Sequence, residues 1–176
     1  MTRALVVIAV ISGCGGGGAP TPKAPAADAV IAVGAKVPDA VLTEPAGGKV
    51  ALGAALAPHA HNVVVFYRGF WCETCVAWLG ELSAHAGELA QRDVGVVAIS
   101  ADALDDLRSL VPRLPHVTLL DDPGLVATTA WGLRVPGAEA PSPGTFVIDA
   151  GTIRWRRLEG PHGDWPTYAE LTAALP

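Results

Sequence analysis

Asn62-Val-Val-Val-Phe-Tyr-Arg-Gly-Phe-Trp-Cys-Glu-Thr-Cys75 decides how this chain is read. Residues 62–67 form an apolar, β-branched run of the kind buried on both faces of a parallel sheet. Cys72-Glu-Thr-Cys75 then opens a helical pattern, with Cys75, Leu79, Leu82, Ala86 and Leu89 on one side and Glu81, Glu88 and Arg92 on the other. A strand that hands two thiols to the first turn of a helix puts them where free backbone N–H groups and the helix dipole favour a thiolate. A two-residue gap closes too small a loop to staple a fold, so the pair reads as chemical rather than structural.

Outward from this stretch the pattern alternates. A short strand is predicted over 49–52, a second buried strand over 94–100, and a helix over 103–111 that Pro112 stops. Residues 117–120 read as a strand ending in the turn Asp121-Asp-Pro123, which starts a helix over 124–131. Strands over 145–149 and 152–158 flank Ala150-Gly151, a tight hairpin signal, and 165–175 closes as a helix. The order βαβαβαββα, with right-handed crossovers and an antiparallel last pair, predicts an α/β domain: a central mixed β-sheet flanked by helices, as in a thioredoxin-like fold.

The 176 residues are 51% apolar, enough for one domain with a full core. The formal charge is −5 with acids and bases interspersed, so the electrostatic footprint of nucleic-acid binding is missing. Residues 1–13 read as a signal peptide: Arg3, an apolar stretch over 5–11, then small residues. Ile11-Ser-Gly-Cys14 resembles the lipobox of bacterial lipoproteins, which implies a lipid on Cys14 and a protein exported to the bacterial cell envelope and anchored to the membrane. The Gly- and Pro-rich residues 14–32 suit a flexible tether, and the globular domain is expected over 33–176. With Cys14 lipidated, Cys72 and Cys75 remain as an even pair in an exported protein.

The block over 64–75 resembles the Phe-Tyr-Arg-Gly-x-Trp-Cys-x-x-Cys signature of the peroxiredoxin-like branch of the alkyl hydroperoxide reductase/thiol-specific antioxidant superfamily. Val33-Gly-Ala-Lys-Val-Pro-Asp39, Val96-Val-Ala-Ile-Ser100, Leu119-Leu-Asp-Asp-Pro123 and Thr145-Phe-Val-Ile-Asp149 agree in order. The resemblance implies an oxidoreductase that needs no cofactor. It would cycle a Cys72–Cys75 dithiol and disulfide on a hydroperoxide or a disulfide-bearing protein and be recharged by a thiol reductant.

Two alignments assign the nucleophile differently. Thioredoxins attack with the first cysteine of Trp-Cys-x-x-Cys, which would be Cys72 after Trp71. The Pro-x-x-x-Thr-x-x-Cys of peroxiredoxins instead places Cys75 at the peroxidatic position, with Arg68 in the proline's place and Cys72 in the threonine's. The arginine that peroxiredoxins carry just before Thr145 is Pro143 here, which resembles the cis-proline facing the cysteines of thioredoxins. Arg68 and Arg134 are the candidate replacements for the missing charge. Glu73, an anion between the cysteines, works against a low thiolate pKa.

The competing reading is a non-catalytic copper- or zinc-binding assembly protein of the same fold. Zinc needs about four ligands, which one Cys-x-x-Cys and scattered histidines do not supply; copper would need the two thiols and one distant histidine, for which His162 is the candidate. No resident metal is expected.

Overall fold

The computed structural model describes residues 29–160 and 163–176. The expected signal peptide over residues 1–13, Cys14, residues 15–28 of the expected tether, and His162 lie outside the described residues. The run at the heart of the sequence is strand β3 (His61–Phe66), and both its neighbours are in place along its whole length. β4 (Val94–Ser100) pairs with it in parallel, and β6 (Gly144–Asp149) antiparallel. The sheet extends through β5 (Thr118–Asp121), parallel to β4, and β7 (Thr152–Leu158), antiparallel to β6. With β1 (Val41–Thr43) and β2 (Lys49–Ala51) the order across seven strands is β2-β1-β5-β4-β3-β6-β7. This is the mixed, helix-flanked sheet of the thioredoxin-like fold.

Alternation along the strands sorts the apolar residues into two layers. Val63, Val65, Val96, Ala98, Leu119 and Val147 face one side, and Val64, Phe66, Val97, Ile99, Leu120, Phe146 and Ile148 the other. The first layer is covered by α2 (Glu73–Ala84), α3 (Ala86–Gln91), α4 (Leu104–Leu110) and α6 (Tyr168–Ala174). The second is covered by α1 (Leu52–Leu56), α5 (Val126–Ala130) and the chain around Val30.

Several boundaries differ from the sequence reading. The helix expected to run through Leu89 breaks at His85, which leaves helical geometry at ψ 11° and stacks its ring on Tyr168 of α6 at 3.9 Å. Leu52 opens α1 rather than ending a strand, and β1 and α1 had no counterpart in the expected order. The last helix starts at Tyr168: Pro166 disfavours helix at Trp165, and Thr167 forms a capping box with Glu170. Packing begins ahead of residue 33, since Val30 is buried and Arg156 donates to the Val30 and Ile31 carbonyls at 2.6 and 2.7 Å. The hairpin is as expected, with positive φ at both Ala150 and Gly151 as a primed turn requires. Asp122 anchors the start of α5, accepting from Ala127 N, Thr128 N and Thr128 Oγ1 at 3.0, 2.8 and 2.7 Å.

Candidate active site

Strand register builds the site. β3 ends at Phe66 opposite Gly144, and Gly144 in turn pairs with Leu158 at the end of β7. The residues just past these ends, Arg68, Pro143 and Glu159, therefore gather at one edge of the sheet. Glu159 N–H donates to the Pro143 carbonyl at 3.0 Å, which fixes the two segments to each other.

The turn from β3 into α2 is held from below by Asp102. Its two carboxylate oxygens each accept from Phe70 N–H at 3.1 Å, and one also accepts from Ser100 Oγ at 2.8 Å. Burial raises the Asp102 carboxyl above its ordinary range. Gly69 sits over this carboxylate at φ +146°, where an added Cβ would come within 2.6 Å of Asp102 Oδ1. The Arg-Gly-Phe-Trp spacing is thus a steric requirement of the turn.

Cys72 is the N-cap of α2 and Cys75 lies in its first turn. The two are joined as a disulfide with their Cα atoms 5.2 Å apart. Exposure separates them: Cys72 keeps 5% of its surface and Cys75 none. Both belong to the layer under α2 with Val63, Val65 and Leu79, and Cys72 directly follows Trp71, which is 59% exposed. Beside them runs an open groove of about 930 Å³ lined by Arg68, Trp71, Pro143 and Glu159 and by the chain from Gly137 to Ser142.

The residues singled out in the sequence take different places. Trp71, Arg68 and Pro143 line the groove. The Ser142–Pro143 peptide is trans, so Pro143 does not reproduce the cis-proline it resembled; trans is the ordinary state of an X-Pro bond by about 0.5–1 kcal/mol. Thr145 is fully buried and does not line the groove: its Oγ1 accepts from Trp78 Nε1 at 3.1 Å, pinning the helix that carries the cysteines.

Glu159 was not visible in the sequence. Its side chain is only 3% exposed, and both its carboxylate oxygens accept from Arg68 Nη2 at 3.0 Å. Thr74 Oγ1 donates to Glu159 Oε1 at 3.4 Å and lies 3.6 Å from Cys72 Sγ. Burial raises the Glu159 carboxyl, against the opposing pull of Arg68. The arginine beside the cysteines is therefore engaged by a carboxylate rather than offered to a sulfur. Only the pairing of strand ends brings residue 159 here, and the one sequence signal was its position directly after the last strand.

Among the described residues, no group of three or more His, Cys, Asp or Glu side chains is placed to hold a metal ion, and no helix is long and apolar enough to cross a membrane. What the arrangement supports chemically is a two-electron exchange between a dithiol and a disulfide at a helix N-terminus bordering a groove.

Comparison with known proteins agrees with this chemistry. The profile of the AhpC/TSA family matches residues 33–156. A search of curated proteins returns no significant match. Among solved structures, peroxidoxin BcpB from Mycobacterium tuberculosis superposes with a TM-score of 0.69 at 21% identity, covering 81% of this chain and 93% of its own. A peroxiredoxin-like protein from Aquifex aeolicus gives 0.73 at 17%, covering 88% and 90%. Reduced Prx3 in complex with hydrogen peroxide, from Vibrio vulnificus, gives 0.73 at 19%, covering 83% and 99%. At these identities the structures speak to the fold.

Proposed function

The chain belongs to the AhpC/TSA family, and on that premise we propose that it is a thiol-dependent oxidoreductase that reduces hydroperoxides through Cys72 and Cys75. The observation that carries the reading is the Cys72–Cys75 disulfide at the start of α2, in which Cys72 keeps 5% of its surface and Cys75 none. Cys72 is the attacking thiol. Its thiolate attacks a peroxide oxygen, the S–O bond forms as the O–O bond breaks, and the departing alkoxide or hydroxide takes a proton. Cys75 then attacks the Cys72 sulfur, the S–S bond forms, and water leaves with the former sulfenic oxygen. An external dithiol returns both electrons by exchange.

A second reading, reduction of protein disulfides, rests on one specific observation. Pro143 occupies the place of the peroxide-polarising arginine, and Arg68 is bound by Glu159. In that case the Cys72 thiolate attacks a substrate sulfur and Cys75 resolves the mixed disulfide, with no oxygen chemistry.

The site's setting is part of the proposal: a lipid on Cys14 holds the domain at the surface of an envelope membrane, supported by the Ile11-Ser-Gly-Cys14 pattern. Loss of membrane association in Cys14→Ser would support it. The activity is tested by mixing reduced protein with hydrogen peroxide and following fluorescence of Trp71 and Trp78. Oxidation far faster than that of free cysteine at the same pH supports the peroxidase. Oxidation no faster, together with rapid reduction of insulin disulfides, moves the assignment to disulfide exchange.

A further inference from the structure

Cys72, Thr74, Glu159 and Arg68 form a continuous row. In the disulfide form the Thr74 hydroxyl stands between Cys72 Sγ at 3.6 Å and Glu159 Oε1 at 3.4 Å, and Glu159 is closed on its other side by Arg68 at 3.0 Å. Thr74 has one proton to share between two neighbours. When Glu159 is charged, that proton is committed to the carboxylate, and the Thr74 oxygen presents lone pairs to Cys72. This favours a Cys72 thiol, which donates, over a thiolate, which needs a donor. When Glu159 is protonated, both hydrogen bonds reverse and Thr74 O–H donates to the thiolate.

We propose that Glu159, acting through Thr74, is the internal proton acceptor that generates the Cys72 thiolate in the reduced protein. The proposal deepens the reading of Cys72 as the attacking thiol and rests on it. In the transfer, the Cys72 S–H proton passes to Thr74 oxygen while the Thr74 O–H proton passes to Glu159 Oε1. The electron pair of the S–H bond stays on sulfur, Glu159 becomes the neutral acid, and the net charge of the row is unchanged. A carboxylate fully at ease as an anion would be a poor acceptor. Here burial raises the Glu159 carboxyl, Asp164 adds to the effect, and Arg68 opposes it. Those are the charged groups acting on it among the described residues. Glu159 is a positioning residue: it acts on Cys72 through Thr74.

Two interacting titratable groups lose their protons in two macroscopic steps that belong to the pair. With one proton shared between sulfur and carboxylate, a fraction of Cys72 is already thiolate. Thiolate reactivity therefore rises once as the first proton leaves and again as the second does.

The test is the rate of iodoacetamide alkylation at Cys72 in the reduced full-length chain, in a Cys75→Ser background, read by peptide mass across the pH range between the ordinary carboxylate and thiol values. Two inflections are expected with Glu159 present, and Glu159→Gln, which keeps the shape but cannot take the proton, should lose the lower one. Thr74→Val, which leaves the Arg68–Glu159 pair intact, should also lose it and serves if Glu159→Gln does not fold. A merely structural role for Glu159 would change the rate at all pH values and leave the number of inflections alone. A single inflection in the parent background, or two in both variants, overturns the proposal. Failure of the functional reading is a separate result: the unmodified chain, reduced and exposed to peroxide, would not re-form the Cys72–Cys75 disulfide.

Discussion

On one face of the sheet Phe66, Trp131 and Phe146 meet with ring centroids 5.0, 6.1 and 4.9 Å apart, two of the three pairs edge to face. All three are fully buried. On the other face, Val63, Val65 and Tyr67 lie with both cysteines, and the layer opens at its end to a half-exposed Trp71 and an open groove. The same strands supply both layers by alternation, yet one layer is closed by aromatic packing and the other is interrupted by sulfur, a buried carboxylate and a cation. The first contributes stability by burying apolar and aromatic surface. The second accepts polar groups at its rim because the chemistry requires them, and the aromatic face supplies the stability that this costs.

The largest break in that comparison is chemical. Cys72→Ser should abolish turnover, by about three orders of magnitude or more as for the loss of other nucleophiles. Its cost in stability should stay near the ~2 kcal/mol expected for opening so short a disulfide loop. Urea unfolding and peroxide consumption, measured on the same preparation, check both halves.

Trp131→Ala should do the opposite. Removing the central ring should cost about 3–5 kcal/mol, visible as a lower urea midpoint. The folded fraction should keep the peroxide reactivity of Cys72. A matching fall in reactivity would show that the two faces are not independent.

A smaller effect is expected where α2 is pinned to the sheet within the cysteine-bearing layer. Thr145→Val keeps the volume but leaves Trp78 Nε1 without its acceptor in a buried site, at a cost of about 1–3 kcal/mol. Because Trp78 sits on α2, the loss should also appear as a shift in tryptophan emission on oxidation.

The smallest effect concerns pH. Burial, with Asp122 alongside, pushes the Asp121 carboxyl from 3.8 up to about 6. A group raised in the folded state adds stability that is complete below the unfolded value and is lost as pH rises through the folded one. The urea midpoint should therefore decline between about pH 4 and 6, and Asp121→Asn should flatten that decline. Asp102 and Glu159, raised in the same direction, leave a residual slope.

Much of this was legible in the chain because strand and site share one signal. The β-branched run before Trp71 marks a doubly buried strand, and cysteines following it fall at a helix N-terminus without further information. The split at His85 was not legible, since its ring meets Tyr168 across a long sequence separation. β1 and α1, three and five residues long, are too short for periodicity to show. Glu159 was hidden for a different reason. Nothing local distinguishes a glutamate after a strand from any other, and only the Gly144 to Leu158 register carries it to Thr74 and Arg68.

The central claim is that Cys72 attacks and Cys75 resolves, and trapping tests it most directly. Full-length Cys75→Ser and Cys72→Ser proteins, native and reduced, are treated with dithionitrobenzoate, and the mixed disulfide is located by peptide mass. The account predicts rapid adduct formation on Cys72 in the first protein and a Cys75 in the second that reacts only on unfolding. Rapid labelling of Cys75 in native Cys72→Ser, with a slow Cys72 in its counterpart, would contradict it.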